Sequence, residues 1–325
     1  MKPFDRFFAL VTIAACAAPV SNAYSQTYPT KPIRLVVAFS AGGGGDNVVR
    51  PLAARLNESL GTPVIVDNRA GGGGLIGANI VAKAAPDGHT LLVGTAATHA
   101  TGPQLNRNAP YNALKDFEPV TQLVTSPSLL AVSNKVGLSS VKALVDAAKA
   151  SPGKLSYASG GTGSAPHLAT ELFNSMAGIS LLHVPYKGGG ESVPALAAGE
   201  IDVHFFAIAT AMPYLKSGRF RTLALAAENR WPDLPSVPTF AEAGYPQYRN
   251  ANWYGLFAPA RTPKPIIARL NAEVLKILAA GDYRERMRLM GAIPVGSSPP
   301  EFAAFVRAEH ERYGKLIQTL GLRVE

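Results

Sequence analysis

Short apolar runs alternate with segments of helical spacing along this chain, and glycine-rich turns join them. Ile33 to Phe39 and Val64 to Val66 have the composition of buried strands, as does Leu91 to Gly94. Between them, apolar side chains recur at helical spacing from Val48 to Leu60 and again around Ile76 to Val81. This β-α-β-α-β order predicts a doubly wound parallel sheet with a ligand crevice at the carboxyl ends of its strands.

The same pattern restarts after a turn-rich stretch at 106–119, so the 325 residues predict two α/β lobes. An apolar strand from Val120 to Val132 is predicted to be interrupted at Ser126-Pro127-Ser128, which we interpret as a hinge. Phe220 to Ala226 is predicted to lead back to the first lobe. The predicted domains are listed by residue number: 24–125 for the first part of domain 1, 126–226 for domain 2, and 227–325 for the return segment of domain 1. Two lobes joined by more than one crossover leave a cleft that closes by hinge bending.

The first glycine run, 42–45, lies between strand and helix in 39-FSAGGGGDNVVRPLAARL-56. Pro51 limits where that helix starts, because a proline is harmless only where its missing N–H would be unpaired anyway. The regular helix is therefore predicted to start no earlier than Val48, with Asp46 and Asn47 in the binding turn.

The N-terminus is typical of an export signal, predicted at 1–23. Lys2 and Arg6 precede an apolar run from Phe7 to Ala18, and small residues follow at 21–23. Cys16 ends a stretch that resembles a lipoprotein processing site, but the better cleavage site follows it, so we favour soluble export to the periplasm. Because Cys16 is the only cysteine, the mature chain has no disulfide and no thiolate metal site.

Several function classes lack their motifs. Gly72, Gly74 and Gly77 fit a dinucleotide fingerprint, but no acidic residue ends the strand at 91–94, and neither glycine run continues as a P-loop. No serine has the flanking glycines of a hydrolase elbow, and the six histidines show no metal spacing. The net charge of +9 is spread without a dense basic run, which does not favour nucleic acid but is compatible with an anionic ligand. We expect no cofactor, no metal and no enzyme activity.

Four turns rich in Gly, Ser and Thr are each predicted to lead from a strand to a helix. They lie at 40–46, 68–75, 94–98 and 159–164. Each can present free backbone N–H groups at a helix N-terminus, where the dipole also favours an anion. A carboxylate can be held in this way without a cationic side chain. His167, in the first turn of the helix after the fourth turn, either faces the cleft or is structural.

In several stretches the chain resembles the tripartite tricarboxylate transporter substrate-binding proteins, the Bug or TctC-like family. The matching stretches are 29-PTKPIRLVVAFSAGGGGD-46, 61-GTPVIVDNRAGGGGLIGANIVAKAAPDGHTLL-92, 156-SYASGGTGSAPHLATELF-173, 182-LHVPYKGGGESVPALAAGEIDVHF-205, 234-LPSVPTFAEAGYP-246 and 253-WYGLFAPA-260. The resemblance implies the type II periplasmic binding protein fold, with two α/β domains and a hinged cleft. It also implies that a carboxylate lies between the first loop and the Ser/Gly/Thr turn of the second domain.

The predicted ligand-binding residues are Phe39, Ser40, Ala41, Gly42, Gly43, Asp46, Thr98, Ser159, Thr162, Gly163, Ser164, His167 and Phe206. Two of them depart from the family. Ser40 stands where the family often has proline, which adds a donor to the loop. Phe206 stands where many relatives have aspartate, so it either makes the distal end of the cleft more apolar or simply packs in the lobe core.

The function predicted from the sequence is an extracytoplasmic solute-binding protein for a small organic carboxylate. Its partners would be the membrane permease subunits of a tripartite tricarboxylate transporter, and the protein itself would be a monomer. Two alternatives stay open: a sensor that presents its closed form to a signalling partner, and an exported α/β enzyme. The sequence does not identify the carboxylate.

Overall fold

The computed structural model describes residues 28–106, 108–215, 217–248, 250–319 and 321. The predicted export signal at 1–23, and Cys16 with it, lies outside the described residues. The strands are β1 (Ile33–Val37), β2 (Val64–Asn68), β3 (Thr90–Gly94), β4 (Phe117–Ser133), β5 (Ser156–Ser159), β6 (Leu182–Pro185), β7 (Val203–Ala207), β8 (Phe220–Ala226), β9 (Ala251–Pro259) and β10 (Ile293–Pro294). The α-helices are α1 (Gly44–Leu60), α2 (Leu75–Ala82), α3 (Gly102–Leu105), α4 (Val141–Ala150), α5 (Ala165–Ala177), α6 (Gly189–Ala198), α7 (Ile208–Leu215), α8 (Lys264–Ala279), α9 (Gly281–Leu289) and α10 (Pro299–Thr319).

One long strand joins two α/β lobes. The strand order is β2-β1-β3-β9-β4-β7-β5-β6, with β8 and β10 also paired to β4. We call the part built on β1, β2, β3, β9, β10 and the start of β4 the first lobe, and the part built on β5 to β8 and the end of β4 the second lobe. In each lobe the strands that helices connect run parallel, β1 with β2 and β3, and β5 with β6 and β7. This is the two-lobed α/β fold that the sequence predicts.

β4 passes from one lobe to the other without a break. It pairs with β9 as far as Pro127 and with β7 from Ser128 onward. The predicted interruption at 126–128 is therefore wrong as local structure. The N–H that Pro127 lacks falls where the strand exchanges one partner for the next, so the proline ends a ladder rather than the strand.

The chain returns to the first lobe later than its pattern indicated. β8 pairs along the end of β4 in the second lobe. Phe240 and Tyr248, which follow β8, still pack in the second-lobe core with Phe173 and Phe205. The return strand is β9, from Ala251. The predicted domain limits otherwise stay predictions.

Helix α1 starts at Gly44 rather than at Val48, so the predicted start is wrong by a full turn. Pro51 lies inside it and removes one interior hydrogen bond, a cost of about 3 kcal/mol in an exposed helix. Burial offsets that cost, since Val48, Val49 and Leu52 are completely buried in the first-lobe core.

Candidate functional site

A cavity lies between the lobes, at the carboxyl ends of β1, β5 and β7. Its volume is about 70 Å³, which is room for roughly five water molecules or one small solute. The residues that line it come from both lobes and from the strands that connect them: Phe39, Gly43, Gly44, Gly45, Thr95, Ala96, Ala97, Gly160, Ser164, Ala165, Pro166, Gly188, Gly189, Ser192, His204, Phe206, Ala207, Thr210, Asn252, Trp253 and Tyr254.

Three long helices begin at this cavity. The first residues of α1, α5 and α6, which are 17, 13 and 10 residues long, all belong to its lining. The first backbone N–H groups of a helix have no partner inside the helix, and the helix dipole adds a partial positive charge there. The cavity therefore collects hydrogen-bond donors and positive potential from both lobes.

Glycine is what lets the helix ends come this close. A Cβ on Gly44 would collide with the hydroxyl of Tyr254 and lie 2.6 Å from Oγ1 of Thr210. A Cβ on Gly189 would collide with the methyl group of Thr210. The first turns of α1 and α6 therefore present bare backbone beside two hydroxyl groups.

Ser164 adds a side-chain donor at the start of α5. Its Oγ accepts a hydrogen bond from the Gly160 N–H over 3.1 Å, which leaves the hydroxyl hydrogen free to donate. The residue is 1% exposed and lines the cavity. The bond to Gly160 fixes the rotamer, so the hydroxyl is oriented before a ligand arrives.

The polar groups of the lining belong to the backbone and to neutral side chains. Among the described residues that line the cavity, none is Lys, Arg, Asp or Glu. Burial raises the pKa of Tyr254, so its phenol stays protonated and can donate. An anion in this cavity would be stabilised by N–H and O–H dipoles without a positively charged side chain.

Aromatic rings form the apolar part of the lining. The indole N–H of Trp253 donates a hydrogen bond to the carboxylate of Glu309 in α10 over 3.0 Å. Phe206 is 2% exposed, packs edge-on against Phe220 in the second-lobe core, and also lines the cavity. Phe206 thus packs in the lobe core and lines the cavity, and its effect on the ligand stays a prediction.

Four of the predicted site residues line the cavity: Phe39, Gly43, Ser164 and Phe206. Ser40, Ala41 and Gly42 lie beside it, against the start of α6. A Cβ on Gly190 would collide with the carbonyl oxygen of Ala41, and a Cβ on Gly188 would lie 2.7 Å from the hydroxyl of Ser40. These three residues form one of the contacts between the lobes.

Asp46 supports the first loop from outside the cavity. Its carboxylate accepts hydrogen bonds from the Gly42 N–H and from Arg50 Nε, both over 2.9 Å, and it does not line the cavity. Burial by itself raises the pKa of Asp46, but the bonds from Arg50 and Gly42 outweigh it and lower the pKa below its usual value. We interpret Asp46 as a support for the loop rather than a ligand contact.

The remaining predicted residues also support the lining without being part of it. Thr98 Oγ1 accepts from the Thr95 N–H and so shapes the turn after β3. Ser159 Oγ pairs with His183 Nε2 over 2.6 Å, beneath the turn that ends in Ser164.

Thr162 and Gly163 belong to that turn, and His167 lies in the first turn of α5, which follows it. The Gly163 N–H donates to His167 Nδ1 over 3.3 Å. Thr162 lies against the first lobe, where a Cβ on Gly73 would meet its carbonyl oxygen at 2.5 Å. Burial lowers the pKa of His167 to about 4, so the ring is a neutral acceptor for the turn.

Several lining residues had no place in the prediction. Gly188 and Gly189 follow a strand and precede a helix, the same signal that identified the other turns, so the pattern in 186-YKGGG-190 was sufficient to find them. Thr210 and Tyr254 carry no such signal. They reach the cavity because β7, α7 and β9 pass under it, which only the tertiary structure specifies.

The lobes are in contact, so this is a closed arrangement. The hydroxyl of Thr101 in the first lobe donates to the Gly163 carbonyl in the second. On the other side, Asn47 Nδ2 donates to the Ala209 carbonyl over 3.0 Å. Together with the contact of Ala41 and Gly190, these bonds hold the two lobes together.

The described residues contain no group of three or more His, Cys, Asp or Glu arranged to hold a metal ion. None of the helices in the described part of the chain combines the length and apolar character that crossing a membrane requires.

Comparison with known proteins identifies relatives over nearly the whole chain. Residues 48–322 match the model of the "Tripartite tricarboxylate transporter family receptor". Protein BugT of Bordetella pertussis is 36% identical over 316 residues, covering 97% of this chain and 96% of BugT. An R. palustris protein solved with adipate is 38% identical with a TM-score of 0.88, covering 91% of this chain and 99% of its own. MatC from Rhodopseudomonas palustris, solved with bound malate, is 34% identical with a TM-score of 0.85, covering 89% and 100%.

Proposed function

Because this chain belongs to the tripartite tricarboxylate transporter family of receptors, we propose that it captures a small organic carboxylate outside the cytoplasm and delivers it to a membrane permease. The family is one of solute receptors rather than enzymes. Its periplasmic members place the protein outside the cytoplasm, and we propose that residues 1–23 direct its export.

One observation supports a carboxylate as the ligand. The N-termini of α1, α5 and α6 converge on a cavity whose described lining has no charged side chain. A cation there would gain nothing from these donors, whereas a carboxylate accepts several hydrogen bonds and interacts favourably with three dipoles. The relatives solved with adipate and malate support the same ligand class.

We propose that one carboxylate group lies against the first turn of α1 and the hydroxyl of Ser164, with Tyr254 and Thr210 as further donors. The remainder of the ligand would then face Phe206 and Trp253. Closure of the lobes removes the ligand from water, which strengthens each of these hydrogen bonds. Capture is thus a shift of the open–closed equilibrium toward the closed form.

A matched panel of ligands tests this function. Malate, succinate and adipate should each be compared with their diamides by thermal shift and calorimetry on the purified protein. At 100 times its Kd a true ligand stabilises the fold by about 2.7 kcal/mol. We expect at least one carboxylate to raise the melting temperature and every diamide to fail. Stabilisation by neutral or cationic solutes but by no carboxylate would contradict the proposal.

Delivery to a permease needs a separate test, because a sensor would use the same closure. Uptake of the radiolabelled ligand should be measured in cells with and without the gene for this receptor. We expect uptake at low ligand concentration to disappear without the receptor. Unchanged uptake together with a lost transcriptional response would favour the sensor.

A further inference from the structure

A buried serine–histidine pair in the cavity is not used by the carboxylate site described above. His204 of β7 and Ser192 of α6 both line the cavity and are 1% and 0% exposed. His204 Nε2 lies 2.7 Å from Ser192 Oγ, and the ring packs edge-on against Phe206 with centroids 4.9 Å apart. The ring is therefore fixed on two sides.

The other ring nitrogen lacks a partner. His204 Nδ1 is buried and has no hydrogen-bond partner among the described residues. A buried polar atom left unpaired costs about 1–3 kcal/mol, so native structures rarely keep one without a reason. A ligand atom or a trapped water in the cavity would remove that cost.

The chemistry of the missing partner follows from the ring. Burial lowers the pKa of His204 to about 3 and outweighs the opposite effect of the Phe205 backbone, which lies near the ring without a well-formed hydrogen bond to Nδ1, so the imidazole is neutral. If Ser192 donates to Nε2, then Nδ1 carries the hydrogen and donates; if Nε2 donates to Ser192, then Nδ1 accepts. A hydroxyl group satisfies either tautomer because it both donates and accepts. A second carboxylate satisfies only one, and it would bring a charge to a place with no cation.

We propose that His204, positioned by Ser192, is a specificity-determining residue that hydrogen-bonds a hydroxyl group on the carboxylate ligand. This rests on the proposed function and narrows its ligand class to hydroxycarboxylates. A site built to pair a hydroxyl discriminates strongly against the analogue that lacks it, since the buried site atom is then left unpaired. The preference is thus set by the same atom that is unpaired in this structure.

The test uses ligand pairs that differ by one hydroxyl group: malate with succinate, 3-hydroxybutyrate with butyrate, and lactate with propionate. Calorimetry on the intact protein should show at least tenfold tighter binding for the hydroxylated member of at least one pair. In His204→Leu that ratio should fall to near one, mainly through weaker binding of the hydroxylated ligand. Ser192→Ala should reduce the ratio while keeping the ring, and it serves if His204→Leu does not fold.

A matched control exists in the same lobe. Ser159 and His183 form a similar pair that does not line the cavity. His183→Leu should lower the melting temperature and, because His183 supports the turn that presents Ser164, weaken both members of each pair alike, so that the ratio between them stays unchanged.

Four outcomes separate the two proposals. If no carboxylate binds at all, the proposed function fails. If carboxylates bind but no pair shows a preference, or if the preference persists in both His204→Leu and Ser192→Ala, the assignment of His204 is overturned. Proton uptake on binding that disappears in His204→Leu would show a charged group at this position and would also overturn it.

Discussion

Replacing Gly190 by alanine tests whether the lobes must touch for the ligand to be held. Gly190 is the second residue of α6, and a Cβ there would collide with the carbonyl oxygen of Ala41 across the cleft. Its φ lies outside the left-handed region, so alanine fits the backbone itself. The substitution therefore acts against the closed form and not against the helix.

The size of the effect follows from the contact. The carbonyl carbon of Ala41 and the hydroxyl of Ser40 would each lie 3.1 Å from the new methyl group, so the lobes must separate or the loop must move. Overpacking of this kind costs about 1–3 kcal/mol. Converted at 1.4 kcal/mol per tenfold, that is an increase in Kd of about 5- to 140-fold.

Calorimetric titration with the best carboxylate measures this change, and the melting temperature without ligand measures folding. Gly190→Ala should leave that melting temperature unchanged or slightly raised, because alanine favours helix over glycine. Gly281→Ala is the matched control, since Gly281 also lies in the first turn of a helix and its Cβ would meet nothing within 4 Å. Equal affinities for Gly190→Ala and the wild type would refute the closure argument.

Three further substitutions, one of them with a control variant, test the site and its supports. Ser164→Ala should weaken carboxylate binding by about 1–3 kcal/mol, or 5- to 140-fold, whereas Ser140→Ala, which removes the cap of α4, should lower the melting temperature with affinity unchanged. Asp46→Asn should destabilise the protein at pH 7, and the gap from wild type should narrow as the pH falls below about 4, because a carboxyl group with a lowered pKa stabilises the fold only while it is ionised. Burial lowers the pKa of His183 to about 4, as it does for His167, so the wild-type melting temperature should fall as the pH drops from 6.5 toward 4. His183→Gln should reduce the slope of melting temperature against pH in a series of thermal melts. An unchanged slope would contradict the assignment of this pH dependence to His183.

The sequence predicted the site where the signal is local. Gly43 and Ser164 each follow a strand and precede a helix, and this short-range pattern is enough to place a turn at the edge of a parallel sheet. Gly188 and Gly189 have the same local pattern, although they are not among the predicted site residues.

Residues contributed by distant strands could not be found in this way. Tyr254 and Thr210 meet over Gly44 only because β9 and α7 run beneath α1, and nothing in their neighbours along the chain indicates it. Asp46 shows the opposite limit of a local signal. It is close to the site in sequence, but its carboxylate turns back to the Gly42 N–H and Arg50 and supports the loop.

Proline was the weakest guide to the fold. At Pro51 and at Pro127 the sequence indicated an element boundary, and in both places the structure continues through the residue. Core burial of the flanking residues compensates at Pro51, and an exchange of strand partners does so at Pro127. Both compensations depend on tertiary contacts, which local propensity does not contain.

The central claim is that a carboxylate is held by neutral donors at converging helix N-termini. A crystal structure of this protein with malate, or with whichever carboxylate of the panel binds most tightly, tests it most directly. We predict that the carboxylate oxygens lie about 3 Å from the first N–H groups of α1 and from Ser164 Oγ, with no Lys or Arg side chain in contact. A carboxylate paired with a cationic side chain, or bound outside the cavity between the lobes, would contradict the claim.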